Sequence, residues 1–197
     1  PSLMRKAGIR EYAAFADVVL EMADGKPVSF EVFADDFEEM KKQAREIASW
    51  DSTIYVKIPV TNTRGEPSYD LIHLLAMAGY KLNVTAVFTK EQARTAIAAL
   101  NGADAIVSIF AGRIADTGRD PSRIMRSAVA ARNGKIKLLW ASAREVYNVV
   151  QAREAGADII TLPPELVAKL DGFGRNLAEY SLETVRQFAR DAEGIAL

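Results

Sequence analysis

The 197-residue sequence predicts an α/β protein built on a parallel sheet, and three observations lead there. Apolar runs rich in β-branched residues alternate along the chain with amphipathic stretches at helical spacing. Within those runs hydrophobicity is nearly continuous, as in Ala105-Ile106-Val107 and Ile159-Ile160, the mark of strands covered on both faces rather than one. No linker or low-complexity stretch interrupts the alternation, so residues 1–197 are expected to form a single domain.

In chain order, Pro1-Ser2 followed by Leu3-Met4 reads as the cap of a helix entered from something upstream, and further residues are expected before Pro1. A helix over Tyr12–Ala23 precedes the first strand, 28–34. Strands are then expected at 53–60, 81–88, 105–111, 136–141 and 158–162, and helices between them at 36–49, 68–79, 90–100, 121–133 and 143–155. Gly79, Gly102, Gly134 and Gly156 each follow a helix and precede a strand, as C-terminal caps do. Helical segments at 165–170 and 181–192 close the chain. The last places Leu182, Val185, Phe188 and Ala189 on one side, to pack on its own barrel or on a neighbouring subunit.

A doubly wound sheet and a closed (βα)8 barrel both satisfy this alternation. No G-x-G-x-x-G turn follows the first strand, which removes the usual reason to prefer a dinucleotide fold. Six strands become eight if about two βα steps precede Pro1, so the expected fold is a (βα)8 TIM barrel with its first one or two βα steps missing from the sequence.

Composition narrows the chemistry. Lys plus Arg number 25 and Asp plus Glu 26, with no basic stripe to neutralise a nucleic-acid backbone, so a small ligand is favoured. There is no cysteine and a single histidine, which excludes a disulfide framework, a thiolate metal site and a His-rich zinc site. Neither a metal nor a cofactor is expected, and catalysis must come from Lys, Asp, Glu, Ser, Thr, Tyr or Arg. No apolar run reaches the roughly 18 residues of a membrane span, and no signal-peptide pattern opens the chain, so a cytoplasmic protein without a membrane partner is expected.

Lys57 stands out inside Ile54-Tyr55-Val56-Lys57-Ile58-Pro59-Val60. Desolvation disfavours an ammonium ion, so a lysine so placed can become nucleophilic enough to form an imine with a carbonyl substrate. The alternative is a strand-end lysine that snorkels to water. Polar residues recur at comparable points of other strands: Glu31, Thr85, Ser108 with Arg113 beyond it, and Ser142. Convergence from separate strands is the pattern of a barrel site. Singly, each has a bland account: Glu31 as half of a buried ion pair, Thr85 and Ser108 as interior fillers, Arg113 and Ser142 as a surface cap. A guanidinium beside a hydroxyl and loop amides is also a ready phosphate clamp. His73 and Trp50 are read as structural.

Four motifs in order carry a family resemblance: Val56-Lys57-Ile58-Pro59-Val60-Thr61; Asn83-Val84-Thr85-Ala86-Val87-Phe88-Thr89 with Gln92-Ala93; Val107-Ser108-Ile109-Phe110-Ala111-Gly112-Arg113-Ile114 with Asp116 and Gly118; and Leu139-Trp140-Ala141-Ser142 with Ile160-Thr161-Leu162-Pro163. Over nearly the whole chain the sequence resembles the small transaldolase and fructose-6-phosphate aldolase family. The resemblance implies a barrel of the class I aldolase type in which Lys57 forms a Schiff base with a ketose and retains a dihydroxyacetone unit after carbon–carbon cleavage. It also implies that Glu31 and Thr85 hold a proton-shuttling water, Ser108 and Phe110 line the substrate, and Arg113 and Ser142 bind its phosphate. Glutamate at position 31 and phenylalanine at 110 match the transaldolases; the aldolases carry glutamine and tyrosine there. A transaldolase acting on sugar phosphates, as a homo-oligomer, is therefore expected. An aldolase releasing dihydroxyacetone, an enzyme for another anionic ketose such as a sulfonated one, and an inactive barrel serving assembly are the alternatives. Two departures stand out. Family members begin with strands ending in Leu-Asp-Thr and Thr-Thr-Asn-Pro-Ser, of which only Pro1-Ser2 corresponds here. The segment from Asn62 to Ser68 also exceeds the usual loop after the lysine strand.

Overall fold

The computed structural model describes Met4 and residues 8–195, and its contacts divide the chain into two compact units, Pro1–Leu162 and Pro163–Leu197. The helix cap expected at Pro1-Ser2 falls outside the described residues. The first unit runs α1 (Tyr12–Ala23), β1 (Val28–Glu31), α2 (Phe37–Trp50), β2 (Ile54–Pro59), α3 (Tyr69–Met77), β3 (Leu82–Val87), α4 (Lys90–Leu100), β4 (Ala105–Ile109), α5 (Ala111–Ala115), α6 (Ser122–Ala131), β5 (Lys137–Trp140), α7 (Asn148–Glu154) and β6 (Ile159–Ile160).

Six parallel strands form one sheet in the order β1-β2-β3-β4-β5-β6. Every crossover therefore advances by one strand in the same direction. A doubly wound sheet would reverse past its first strand, so the strand order favours barrel-type winding over the dinucleotide-type alternative.

Alternation along the strands sorts side chains into two layers. Val56, Ile58, Leu82, Val84, Val87, Val107, Ile109, Leu138 and Trp140 join one buried cluster with Met40, Ile47, Ile72, Leu75, Ile97, Leu100 and Met125 from the helices. Full burial of each such aliphatic side chain stabilises by about 1.5–3 kcal/mol. Tyr55, Ile106, Leu139 and Ala141 form a second, smaller cluster with Phe110 and Ile159. These residues occupy the alternate positions, on the face of the sheet turned away from the helices.

Local chemistry sets the element ends. Asp36 caps α2 by accepting from the backbone N–H groups of Glu38 and Glu39 at 3.0 and 3.1 Å, with both glutamates in the favourable first turn. Thr89 and Gln92 make a reciprocal capping box on α4. All four glycines expected as caps take positive φ. Between Val84 and Val87 the β3–β4 register shifts, and Ala86 adopts φ 59°; the extra residue returns Val87 to the helix-facing layer.

Element ends differ from expectation in several places: β1 stops at Glu31 and β6 is only Ile159–Ile160, and two further departures follow β4 and β5. The stretch 143–155 is helical only from Asn148, because the Asn148 side chain accepts from the N–H groups of Arg144 and Glu145 and holds a turn ahead of the helix. The short helix α5 occupies the end of a run expected to be strand.

The second unit contains α8 (Pro164–Ala168), a 3₁₀ turn (Lys169–Gly172) and α9 (Leu177–Asp191). Helix α9 begins before the expected position 181 because the Asn176 side chain accepts from the N–H groups of Ala178 and Glu179. Its apolar residues Leu182, Val185 and Phe188 are exposed. Among the described residues no helix is long and apolar enough to cross a membrane.

Candidate active site

Because all six strands are parallel, their C-terminal ends share one edge of the sheet, where ligands bind in wound α/β folds. Lys57 lies close to that edge on β2. Its chain neighbours Val56 and Ile58 are fully buried in the helix-facing layer, so the half-buried Lys57 occupies the opposite face, that of Tyr55. Among the described residues its amine makes no hydrogen bond or ion pair.

The register brings the polar strand residues to this amine. Glu31, the last residue of β1, stands opposite Lys57, and Asn83 of β3 stands opposite it on the other side. Asn83 is buried and its amide is used at both ends: the Ser108 hydroxyl donates to Oδ1 at 2.7 Å, and Nδ2 donates to the Ser29 hydroxyl at 3.0 Å. This ties β1, β3 and β4 together on the lysine side of the sheet. Thr85, one alternate step farther along β3, is buried with its hydroxyl oxygen unpartnered among the described residues. A buried hydroxyl without a partner is costly, and a bound water or ligand normally relieves it.

Tyr12 of α1 supports Glu31 from behind. Its hydroxyl accepts from the Glu31 N–H at 2.8 Å and donates to the Glu31 carbonyl at 3.1 Å, satisfying backbone groups of β1 that face away from β2. Burial pushes the Tyr12 phenol up to about 12, so it remains a neutral donor and acceptor at physiological pH.

Two loop assemblies flank the edge. On the β4–β5 side, Gly112 approaches Ser142 so closely that a Cβ at position 112 would lie 1.6 Å from the Ser142 carbonyl oxygen. Ser142 itself takes φ 66°. Arg144 forms a bidentate pair with Asp116 at 2.7–3.2 Å, and that hydrogen bonding holds the Asp116 carboxyl below its usual range. Exposed Arg113 lies over the Phe110 ring at 5.2 Å. On the β1–β2 side, the segment after β2 folds back through an antiparallel bridge between Thr61 and Pro67 and is bonded to Asp35.

The residues singled out from sequence thus fall into two groups. Lys57, Glu31, Thr85 and Ser108 lie on neighbouring strands of one sheet face, with Phe110 in the cluster beside them. Arg113 lies on the short helix α5, next to Gly112, and Ser142 lies on the loop after β5 that Gly112 abuts. Asn83 and Ser29 were passed over as site residues. Asn83 was legible: a polar residue two positions before Thr85 in an apolar strand shares its face. Ser29 had no such signal, because only the sheet's cross-strand geometry joins it to Asn83. His73 Nδ1 donates to the Ala99 carbonyl at 3.0 Å, and Trp50 packs edge-on against Tyr12 and Phe30. Among the described residues no group of three or more His, Asp or Glu is placed to hold a metal ion.

Comparison with known proteins adds an independent finding. A family model described as Transaldolase/Fructose-6-phosphate aldolase matches residues 1–196. A protein of Dehalococcoides mccartyi named probable transaldolase is 34% identical over 173 residues, which span 86% of this chain and 77% of the relative. Another of that name, from Methanococcus maripaludis strain C5, is 33% identical over 196 residues, 94% of this chain and 87% of the relative. A third, from Thermoanaerobacter sp. strain X514, is 35% identical over 173 residues, 86% and 76%.

Proposed function

Since this chain belongs to the transaldolase/fructose-6-phosphate aldolase family, we propose that it transfers a dihydroxyacetone unit from a ketose phosphate to an aldose phosphate through an imine on Lys57. The carrying observation is the position of Lys57: on the inner sheet face, between Glu31 and Asn83 in register, with no ion pair or hydrogen bond among the described residues to occupy its amine. The six strands are read as part of an eight-stranded barrel whose mouth is the edge described above.

In this reading the Lys57 amine adds to the C2 carbonyl of the ketose, and water leaves as the iminium forms. The iminium accepts the electron pair of the C3–C4 bond while the C4 hydroxyl loses its proton, releasing an aldose phosphate and leaving a three-carbon enamine on nitrogen. Addition of the enamine to an acceptor aldehyde forms the new bond, and water returning to C2 frees the amine. Glu31 and the unpartnered hydroxyl of Thr85 hold the water that carries protons in the first and last steps. Ser108 and Phe110 face the sugar, and Arg113 with Ser142 takes its phosphate, orienting C2 toward the amine. The proton acceptor for the C4 hydroxyl is assigned to no residue of this chain. The exposed apolar side of α9 is read as the seat of a second copy, which sedimentation of the purified protein will show as a species heavier than 21.5 kDa.

Borohydride reduction in the presence of fructose 6-phosphate tests the chemistry. The expected result is a reduced three-carbon unit on the Lys57 peptide, absent in Lys57→Met; an unmodified peptide removes the proposal. Adding erythrose 4-phosphate separates the activities, because a transaldolase forms a seven-carbon ketose phosphate, whereas an aldolase accumulates free dihydroxyacetone regardless of acceptor.

A further inference from the structure

The segment that leaves β2 is a built element. Ser68 N–H bonds the Val60 carbonyl, Asn62 N–H bonds the Glu66 carbonyl, and Thr61 pairs with Pro67, so the chain folds back as a short antiparallel hairpin. Asn62, 6% exposed, fills its turn: Oδ1 accepts from the N–H groups of Arg64 and Glu66 at 3.0 Å, and Nδ2 donates to the Glu66 carboxylate. Gly65 takes φ 78° at the bend, where a β-carbon would be strained.

The hairpin is latched to the next loop. Asp35 follows Glu31 by one short loop, and its two carboxylate oxygens accept from the Thr63 N–H and the Thr63 hydroxyl, each at 2.7 Å. These bonds hold the Asp35 carboxyl below its ordinary range. Arg64 adds a longer contact to Asp35 and a closer one to Glu66. Exposed ion pairs contribute little to stability. What this network does is positional: it joins the loops that emerge from the Glu31 and Lys57 strands and removes their freedom to move apart.

Resting on the Lys57 reading, we propose that the hairpin 61–67, latched through Asp35 and Thr63, is a specificity-determining wall. It limits the size of the group carried on the side of the substrate carbonyl away from the phosphate. Strand order supports the direction. The phosphate contacts proposed for Arg113 and Ser142 lie beyond β4 and β5, the reacting carbon is held on β2, and the group opposite the phosphate then meets the β1–β2 loops. A loose loop there would yield to a larger substituent. A latched one discriminates, and one methylene in a closed pocket is worth on the order of 10–200-fold.

The experiment compares borohydride trapping rates at Lys57 for hydroxyacetone and 1-hydroxy-2-butanone, which differ by a methylene. The wild-type protein is expected to favour the smaller ketone about tenfold or more. Asp35→Ala, which removes both bonds, is expected to compress that ratio by about fivefold, and Thr63→Val, which removes the hydroxyl bond and leaves the N–H bond, by about twofold, whereas Thr63→Ser, which keeps both bonds, retains it. General destabilisation scales both ketones together and leaves the ratio alone. A ratio unmoved in both latch variants overturns the wall while leaving the imine chemistry intact. Absence of any wild-type adduct overturns the Lys57 reading and the wall with it.

Discussion

The two faces of the same strands obey different rules. On β2, Val56 and Ile58 point into a dry layer of helix side chains, and Tyr55 and Lys57 point the other way, toward Glu31, Asn83 and Ser108. The helix-facing layer is apolar, built mostly of aliphatic side chains with Phe30 and Trp140 among them, and its content is set by packing. The opposite face tolerates a lone amine, an amide bonded at both ends and an unpartnered hydroxyl, groups that a purely structural interior excludes. Under the proposed function, stability and chemistry fall to alternate residues of one strand, and neighbouring substitutions are expected to separate them.

The largest effect is expected at Lys57. Lys57→Met lowers the rate by about 10⁶-fold, the scale of losing a covalent nucleophile, while the melting temperature holds or rises because a half-buried charge has gone. A Lys57→Met protein with residual transfer above that level breaks the division of labour. Next comes Ile58→Ala, one residue away. Ile58 is fully buried, so the change costs about 2–5 kcal/mol in denaturant unfolding, yet borohydride trapping on Lys57 persists at low temperature. A smaller perturbation, about 1–3 kcal/mol, is expected for Gly112→Ala, where the new methyl must push the Ser142 backbone aside. There KM for a phosphorylated ketose should rise more than KM for an unphosphorylated ketone; an equal rise would show that these loops do not hold the phosphate.

The smallest effect is electrostatic. Burial, aided by the hydrogen bond to Asp104, pushes the Tyr55 phenol up to about 12, as burial does for Tyr12. The fold favours the protonated phenols, so their contribution is fully present below the ordinary value of 10.0 and is lost as pH rises through about 12. Absorbance titration should show these two phenols among the last to ionise, with loss of fold accompanying their ionisation. Ionisation of all tyrosines together near 10 would show that neither environment is closed.

Much of the fold was legible because strand and helix carry different periods, and an unbroken apolar strand can exist only between two covered faces. Helix Tyr12–Ala23 and the glycine caps followed from that reasoning together with backbone preference. Lys57, Glu31, Thr85 and Ser108 were visible as polar interruptions. Arg144 was not, since an arginine in a loop is ordinary until its pairing with Asp116 is seen. The latch was equally hidden, because Asp35 and Thr63 are 28 residues apart and neither is unusual alone.

By itself the amino-acid order determined the alternation of elements, the lack of any cysteine and the place of Lys57 in the middle of an apolar strand, for these depend on composition and on near neighbours. Strand order, the face Lys57 takes, the residues opposite it and the joining of the β1 and β2 loops were decided only in three dimensions. A hydrogen bond between distant residues leaves no period in a sequence: it exists only once parallel strands have stacked in register and carried their loops to the same edge.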